Sequence, residues 1–136
     1  MPRRTDSNNP ADWLWIAESA LEALWIVCER QVGYLLCRSK LAEALEKILK
    51  AELTRLGWFL ERTHDLQRLR DALVARGSDL AARSKPLCDN MAEFYFTDRY
   101  PGFDMEEPDW PALRLQLDEV SGLLATVKQR VAAGGG

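Results

Sequence analysis

Residues 110–131 read WPALRLQLDEVSGLLATVKQRV. Within them Leu113, Leu117, Val120, Leu124, Val127 and Val131 recur alternately four and three apart without a break. That spacing lines six aliphatic side chains along one seam, the pattern of a long helix packed nearly antiparallel to its neighbours. Asp109 precedes the run and Pro111 stands in its first turn, which marks a helix start. A seam of this length must be covered, so the rest of the chain is expected to supply helices of matching length.

The opposite end of the chain has the same period. Leu14, Ala17, Leu21, Leu24 and Cys28 form a three/four stripe behind Asn9, a good N-cap, and Pro10, suited to the first helical position. Glu18, Glu22 and Glu29 lie on another face. Trp15, Ala23 and Ile26 lie off the main stripe and form a second apolar face, to be buried within the domain or against a partner. A second helix is predicted from Val32 to Leu56, with Leu41, Leu45, Ile48, Leu49, Leu53 and Leu56 inward and Gly57 as its stop. Glu43–Lys47 and Glu46–Lys50 are i,i+4 pairs in the favourable order.

After a loop over Trp58–Arg62, Thr63 is expected to cap a helix through Arg76, closed by Gly77 and carrying Leu66, Leu69 and Leu73. Ser78 or Asp79 caps a short turn, and Pro86 is expected to open a fourth helix through Phe96. Residues 98–110 hold aromatics, two prolines and a glycine and are expected to form an ordered loop. Neither a β-branched alternation of strand length nor an Asn-Gly or Asp-Gly hairpin turn occurs. The expected fold is therefore all-α, an up-and-down bundle of four to five antiparallel helices. It forms one domain over residues 10–132, between a polar, disordered tail at 1–9 and a flexible, glycine-ended tail at 133–136.

Composition narrows the function classes. With 47% hydrophobic and 29% charged residues, the chain has an ordinary globular balance and can bury a core. A net charge of −3 argues against a generic nucleic-acid or membrane binder. Residues 50–85 are nevertheless basic and 86–119 acidic, an asymmetry that either steers a partner or reflects solvated helix faces. Cys28, Cys37 and Cys88 lack metal-ligand spacing and there is one histidine, so no zinc site or other cofactor is expected. The cysteines read as reduced, buried apolar residues of a cytoplasmic protein, and neither a signal peptide nor a membrane span is expected.

Phosphate-cradling glycine loops, a marked Ser/His/Asp triad and repeated Glu-x-x-His spacing are all missing. Two local constellations remain. At Arg62-Thr63-His64-Asp65-Leu66 a helix start could hold an anion, with Arg62 or His64 adding donors. Alternatively, Thr63 caps, His64 bonds locally and Asp65 complements the helix dipole. In Phe94-Tyr95-Phe96-Thr97-Asp98-Arg99-Tyr100-Pro101-Gly102 an arginine between aromatics could grip a phosphate or a base. Alternatively, the rings plug the bundle end and Arg99 pairs with Asp98 or Asp104.

Taken in order, Asp12-Trp13-Leu14 with Ala17-Glu18, Glu46-Lys47 with Leu49-Lys50-Ala51, Thr63-His64-Asp65-Leu66 and Arg99-Tyr100-Pro101 resemble the HEPN family (higher eukaryotes and prokaryotes nucleotide-binding) across roughly residues 10–132. The resemblance implies about five helices and a homodimer. It also implies a role beside a small nucleotidyltransferase partner, commonly as a toxin–antitoxin pair. Some members are metal-independent ribonucleases whose arginine precedes a histidine by four to six intervening residues. Here those places are Gly57, Trp58 and Phe59, so that motif is absent. The glutamines usual before the Glu-Lys element are also replaced, by Leu41-Ala42-Glu43-Ala44-Leu45.

The reading that follows is an accessory, non-catalytic protein binding a nucleotide or RNA phosphate. Lys47 and Lys50 would act as point charges, Arg99 (with Tyr100) as a bidentate grip and His64 as donor or acceptor. The alternatives are a ribonuclease built from His64 and the other subunit's arginine, or a structural module dimerising through Trp15 and Ile26.

Overall fold

The computed structural model describes residues 7–92, 94 and 107–134. Five helices are present: α1 (Pro10–Arg30), α2 (Tyr34–Arg55), α3 (Leu66–Ala75), α4 (Leu80–Met91) and α5 (Trp110–Ala133). Among the described residues there is no strand. The all-α, up-and-down bundle expected from periodicity is the fold.

The long helices begin where the sequence marks them. The Asn9 side chain accepts from the Ala11 N–H, and the Asp109 side chain from the Ala112 N–H, each satisfying a donor that helix geometry leaves open. Gln31 and Gly33 both take left-handed backbone angles (φ 54° and 66°), which reverses the chain within three residues. The turn puts α2 antiparallel to α1 and delays its start from the expected Val32 to Tyr34. Gly57 ends α2 as expected: at φ 83° it lets the Trp58 N–H bond back to the Leu53 carbonyl at 2.9 Å.

Two expectations about the shorter helices are corrected. Asp65, not Thr63, caps α3, its carboxylate accepting from the N–H groups of Gln67 and Arg68. The Thr63 hydroxyl instead accepts from the Asp65 N–H, forming a turn one step earlier. Pro86 does not open α4 but lies inside it, and the helix stops at Met91. Its start lies at Leu80, whose N–H is satisfied by the Ser78 hydroxyl, so proline costs one internal bond in a helix already begun. The segment expected to carry α4 on to Phe96, and the loop after it, fall outside the described residues.

α2 is the hub. It packs against all four other helices, with α1 and α5 on one side and the α3–α4 pair on the other. Leu41, Leu45, Ile48, Leu49 and Leu53 are fully enclosed, and Leu69, Leu73, Leu117 and Val120 meet them from α3 and α5. Because α2 is surrounded, polar residues are enclosed too: Arg38, Ser39, Glu46, Lys50 and Glu52. Cys28, Cys37 and Cys88 are free and buried, in α1, α2 and α4. No helix is long and apolar enough to cross a membrane among the described residues.

Candidate functional site

The site is built around a carboxylate. Glu46 sits midway along α2 and is 1% exposed. Its Oε2 accepts from Lys47 Nζ at 2.8 Å and Lys50 Nζ at 2.9 Å, and its Oε1 meets His64 Nδ1 at 2.8 Å. Burial pushes the Glu46 carboxyl up. The charges of Lys47 and Lys50 and the His64 hydrogen bond outweigh it and hold the group below its ordinary value. Glu46 is therefore ionised near neutral pH. An ionised carboxylate can only accept, so the His64 Nδ1 donates in this pair.

Trp13 of α1 closes the other side. Its indole N–H donates to the Ser7 carbonyl at 2.9 Å, and Lys47 and Lys50 lie 5.6 and 5.4 Å from its ring centre. A cation over an indole face is favoured electrostatically, so the ring shares in holding both ammonium groups. Beside this assembly lies a groove of about 230 Å³, lined by Trp13, Lys50, Arg62, Thr63 and His64 among others. Leu60 and Arg62, which also line it, border a second, larger concavity of about 420 Å³ that includes Asn8, Trp58 and Phe59.

Three of the five expected ligand residues fall within the described residues. Lys47, Lys50 and His64, drawn from two segments, are brought together around Glu46. The lysines, however, are not open point charges: Lys50 is 4% exposed, and both are engaged by Glu46. The His64 side chain is half exposed and bonds to Glu46, eighteen residues back. The anion site expected at the start of α3 is filled by the chain's own Asp65, which takes the N–H groups of Gln67 and Arg68. Arg99 and Tyr100 lie outside the described residues. Trp15 and Ile26 lie on the outer face of α1, 75% and 63% exposed.

Two residues were missed. Glu46 is legible in sequence as half of an i,i+4 pair and as part of the Glu46-Lys47 element, not as a site residue, although Ala42, Leu45 and Leu49 around it on the helix hint at burial. Arg38 lies two turns earlier on the same face of α2, 5% exposed, with its guanidinium 3.8 Å from the Phe94 ring centre and 5.5 Å from that of Tyr34. No group of three or more metal-ligating side chains occurs among the described residues.

Chemically, the arrangement offers an imidazole held by a buried carboxylate, an arginine and a hydroxyl on the groove wall, and an indole at its base. Three of the four sequence elements that suggest a family meet here: Asp12-Trp13-Leu14, Glu46-Lys47 with Lys50, and Thr63-His64-Asp65-Leu66. No curated protein and no solved structure matches the chain. The HEPN domain matches it over residues 10–129, nearly its whole length, and the chain belongs to the HEPN domain family.

Proposed function

We propose that this protein is an accessory, non-catalytic HEPN protein that binds a nucleotide or an RNA phosphate in the groove beside His64. One observation carries the reading: three segments far apart in sequence converge on one groove, where His64, Arg62 and Thr63 line the wall above a buried charge cluster. His64 and Arg62 are the groups that meet the phosphate; Lys47, Lys50 and Glu46 position His64 and the indole. A small nucleotidyltransferase is the partner in this reading, within a toxin–antitoxin-type system. Isothermal titration with ATP, GTP and a short RNA tests the ligand. Heat and a raised Tm with at least one are expected. No heat with any of them, at unchanged thermal stability, overturns the reading.

The Glu46–His64 pair favours a second reading, ribonuclease. A carboxylate that orients an imidazole prepares it to take a proton from a 2′-hydroxyl. The arginine of the family motif would then come from the other subunit. A gel assay on structured and single-stranded RNA tests this, and cleavage that survives His64→Ala removes the histidine from the chemistry.

The outer face of α1 is the proposed homodimer surface. Trp15 and Ile26, three turns apart on one stripe of the helix, are 75% and 63% exposed. Sedimentation of the Trp15→Glu, Ile26→Glu double variant checks it: a dimer that persists places the interface elsewhere.

A further inference from the structure

We propose that Cys28 and Cys37 are a redox pair, which a peroxide joins into a reversible disulfide that staples the end of α1 to the start of α2. The pair lies away from the His64 groove and does not depend on what that groove binds.

The turn between the two helices dictates the pairing. Cys28 lies three residues before Gln31 and Cys37 four after Gly33, so they stand at matching levels on antiparallel helices. Leu24 and Leu41, one turn further along each helix, form the next level. All four line one cavity, which Leu113 and Leu117 of α5 close. At about 10 Å³ and with apolar walls, it is too small and too dry to keep a water between the thiols. Hydrogen bonds of the turn hold both backbones. The Gln31 N–H donates to the Cys28 carbonyl at 3.0 Å, and the Cys37 N–H to the Gly33 carbonyl at 2.8 Å. The Cys37 thiol itself makes a weak bond to the Val32 carbonyl at 3.5 Å, which a disulfide gives up at little cost. Cys88, on α4, is not among the walls of this cavity.

The two thiols are not equivalent. Cys28 is 6% exposed and Cys37 2%. Burial pushes both up, but Arg114 opposes the push at Cys28, while Cys28 adds to it at Cys37. Cys28 is therefore the sulfur that meets the peroxide first, as the end of the hairpin opens. Its thiolate attacks one peroxide oxygen, the O–O bond breaks, hydroxide leaves and Cys28 becomes a sulfenic acid. The Cys37 thiolate then attacks that sulfur and expels the sulfenic oxygen as a second hydroxide. The two thiol protons turn both hydroxides into water. In sum the thiols lose two electrons and two protons, and the peroxide is reduced to two waters. A dithiol reverses the bond by thiol–disulfide exchange and is itself oxidised to a disulfide.

Hydrogen peroxide added to the full chain tests the proposal, read by intact mass, by peptide mapping after alkylation without reductant, and by Tm. A single chain lighter by two hydrogens is expected, with Cys28 linked to Cys37 and Cys88 alkylated. The bond closes a loop of eight intervening residues. Tm is expected to rise by roughly 5–10 °C and to return when dithiothreitol is added. Cys88→Ala should link as the unaltered chain does. Cys37→Ala removes the resolving thiol, so a 1,3-diketone should trap a sulfenic acid on Cys28; Cys28→Ala should give no trapped sulfenic acid on Cys37. The pair is overturned if peroxide carries either cysteine to a sulfinic acid without a link. It is equally overturned if Cys88 or a second copy supplies the linked sulfur, or if all three thiols stay free in excess peroxide. A link that lowers Tm overturns the staple, because the bond would then distort the turn. The map of the unaltered chain decides the link even if an alanine variant fails to fold.

Discussion

α2 carries two buried glutamates, six residues apart, that face different tasks. Glu52 is 0% exposed and binds Arg55 at 2.7 Å, Ser78 at 2.8 Å and Arg130 at 2.7 Å. Arg130 reaches on to Asp79. These partners come from the end of α2, the start of α4 and the end of α5, so the cluster straps three helices together. Glu46 is equally buried and has as many polar partners, but one of them, His64, is half exposed beside a groove. The same residue type, on the same helix, makes a strap where its arginine partners, at most 30% exposed, tie neighbouring helices together, and a site where one partner, 52% exposed, borders a groove. Burial of a charge alone does not separate the two; the exposure of its last partner does.

Substitutions can break the comparison in order of size. Glu46→Ala is expected to cost the most, about 3–5 kcal/mol of unfolding free energy, because Lys50 stays enclosed with no carboxylate. Urea denaturation measures it, and a loss below 1 kcal/mol would mean that Lys50 escapes to water. Glu52→Ala is expected to cost less, about 2–3 kcal/mol, since Arg55 and Arg130 are already part exposed and can be hydrated. It should leave ligand binding at the His64 groove unchanged, whereas Glu46→Ala should abolish it.

Acid should weaken both clusters. In each, burial raises the carboxyl but the surrounding cations and hydrogen bonds prevail and hold it below its ordinary value. A carboxyl lowered in the folded state stabilises fully above the unfolded value of about 4.3, and that stability is lost as pH falls through the folded value. Urea midpoints should therefore be level between pH 6 and 7 and drop below about pH 4.3. The drop should be shallower in Glu52→Gln and in Glu46→Gln. The smallest effect on stability is expected for His64→Ala, about 1 kcal/mol, the worth of one part-exposed hydrogen bond. Its effect on ligand binding should be larger, about tenfold, if one charge-assisted contact to phosphate is removed. Equal losses in stability and binding would make His64 a strap like Ser78.

What the residues disclose in advance follows from which face of each helix meets water. α1 and α5 have one dry face and one wet one, and their stripes, caps and limits are legible in the sequence. α2 is enclosed over most of its circumference, with only a narrow strip at Leu36, Lys40, Glu43 and Lys47 reaching solvent, so its pattern loses much of the contrast that distinguishes inside from outside. Glu46 and Lys50 then read as a surface pair, and Arg38 does not stand out at all. The α3 and α4 starts were misplaced because Thr63, Asp65, Ser78 and Pro86 are all competent starters, and only packing chooses among them. The convergence of Trp13, Glu46 and His64 depends on contacts between residues 18 to 37 apart, to which no local period responds.

The three thiols have a use in the laboratory. Burial, only partly offset by the nearby Ser84 and Arg70, pushes the Cys88 thiol up to about 11. Burial also raises those of Cys28 and Cys37, with Arg114 opposing it at Cys28 and Cys37 further raised by its neighbour Cys28. At neutral pH all three are held as the unreactive protonated form behind a closed core. An alkylating reagent can then modify each one only when its helix lifts away from the bundle. The molecule thus carries three built-in clocks, on α1, α2 and α4. Comparing their labelling rates would reveal whether the bundle opens as one cooperative unit or sheds its helices in turn.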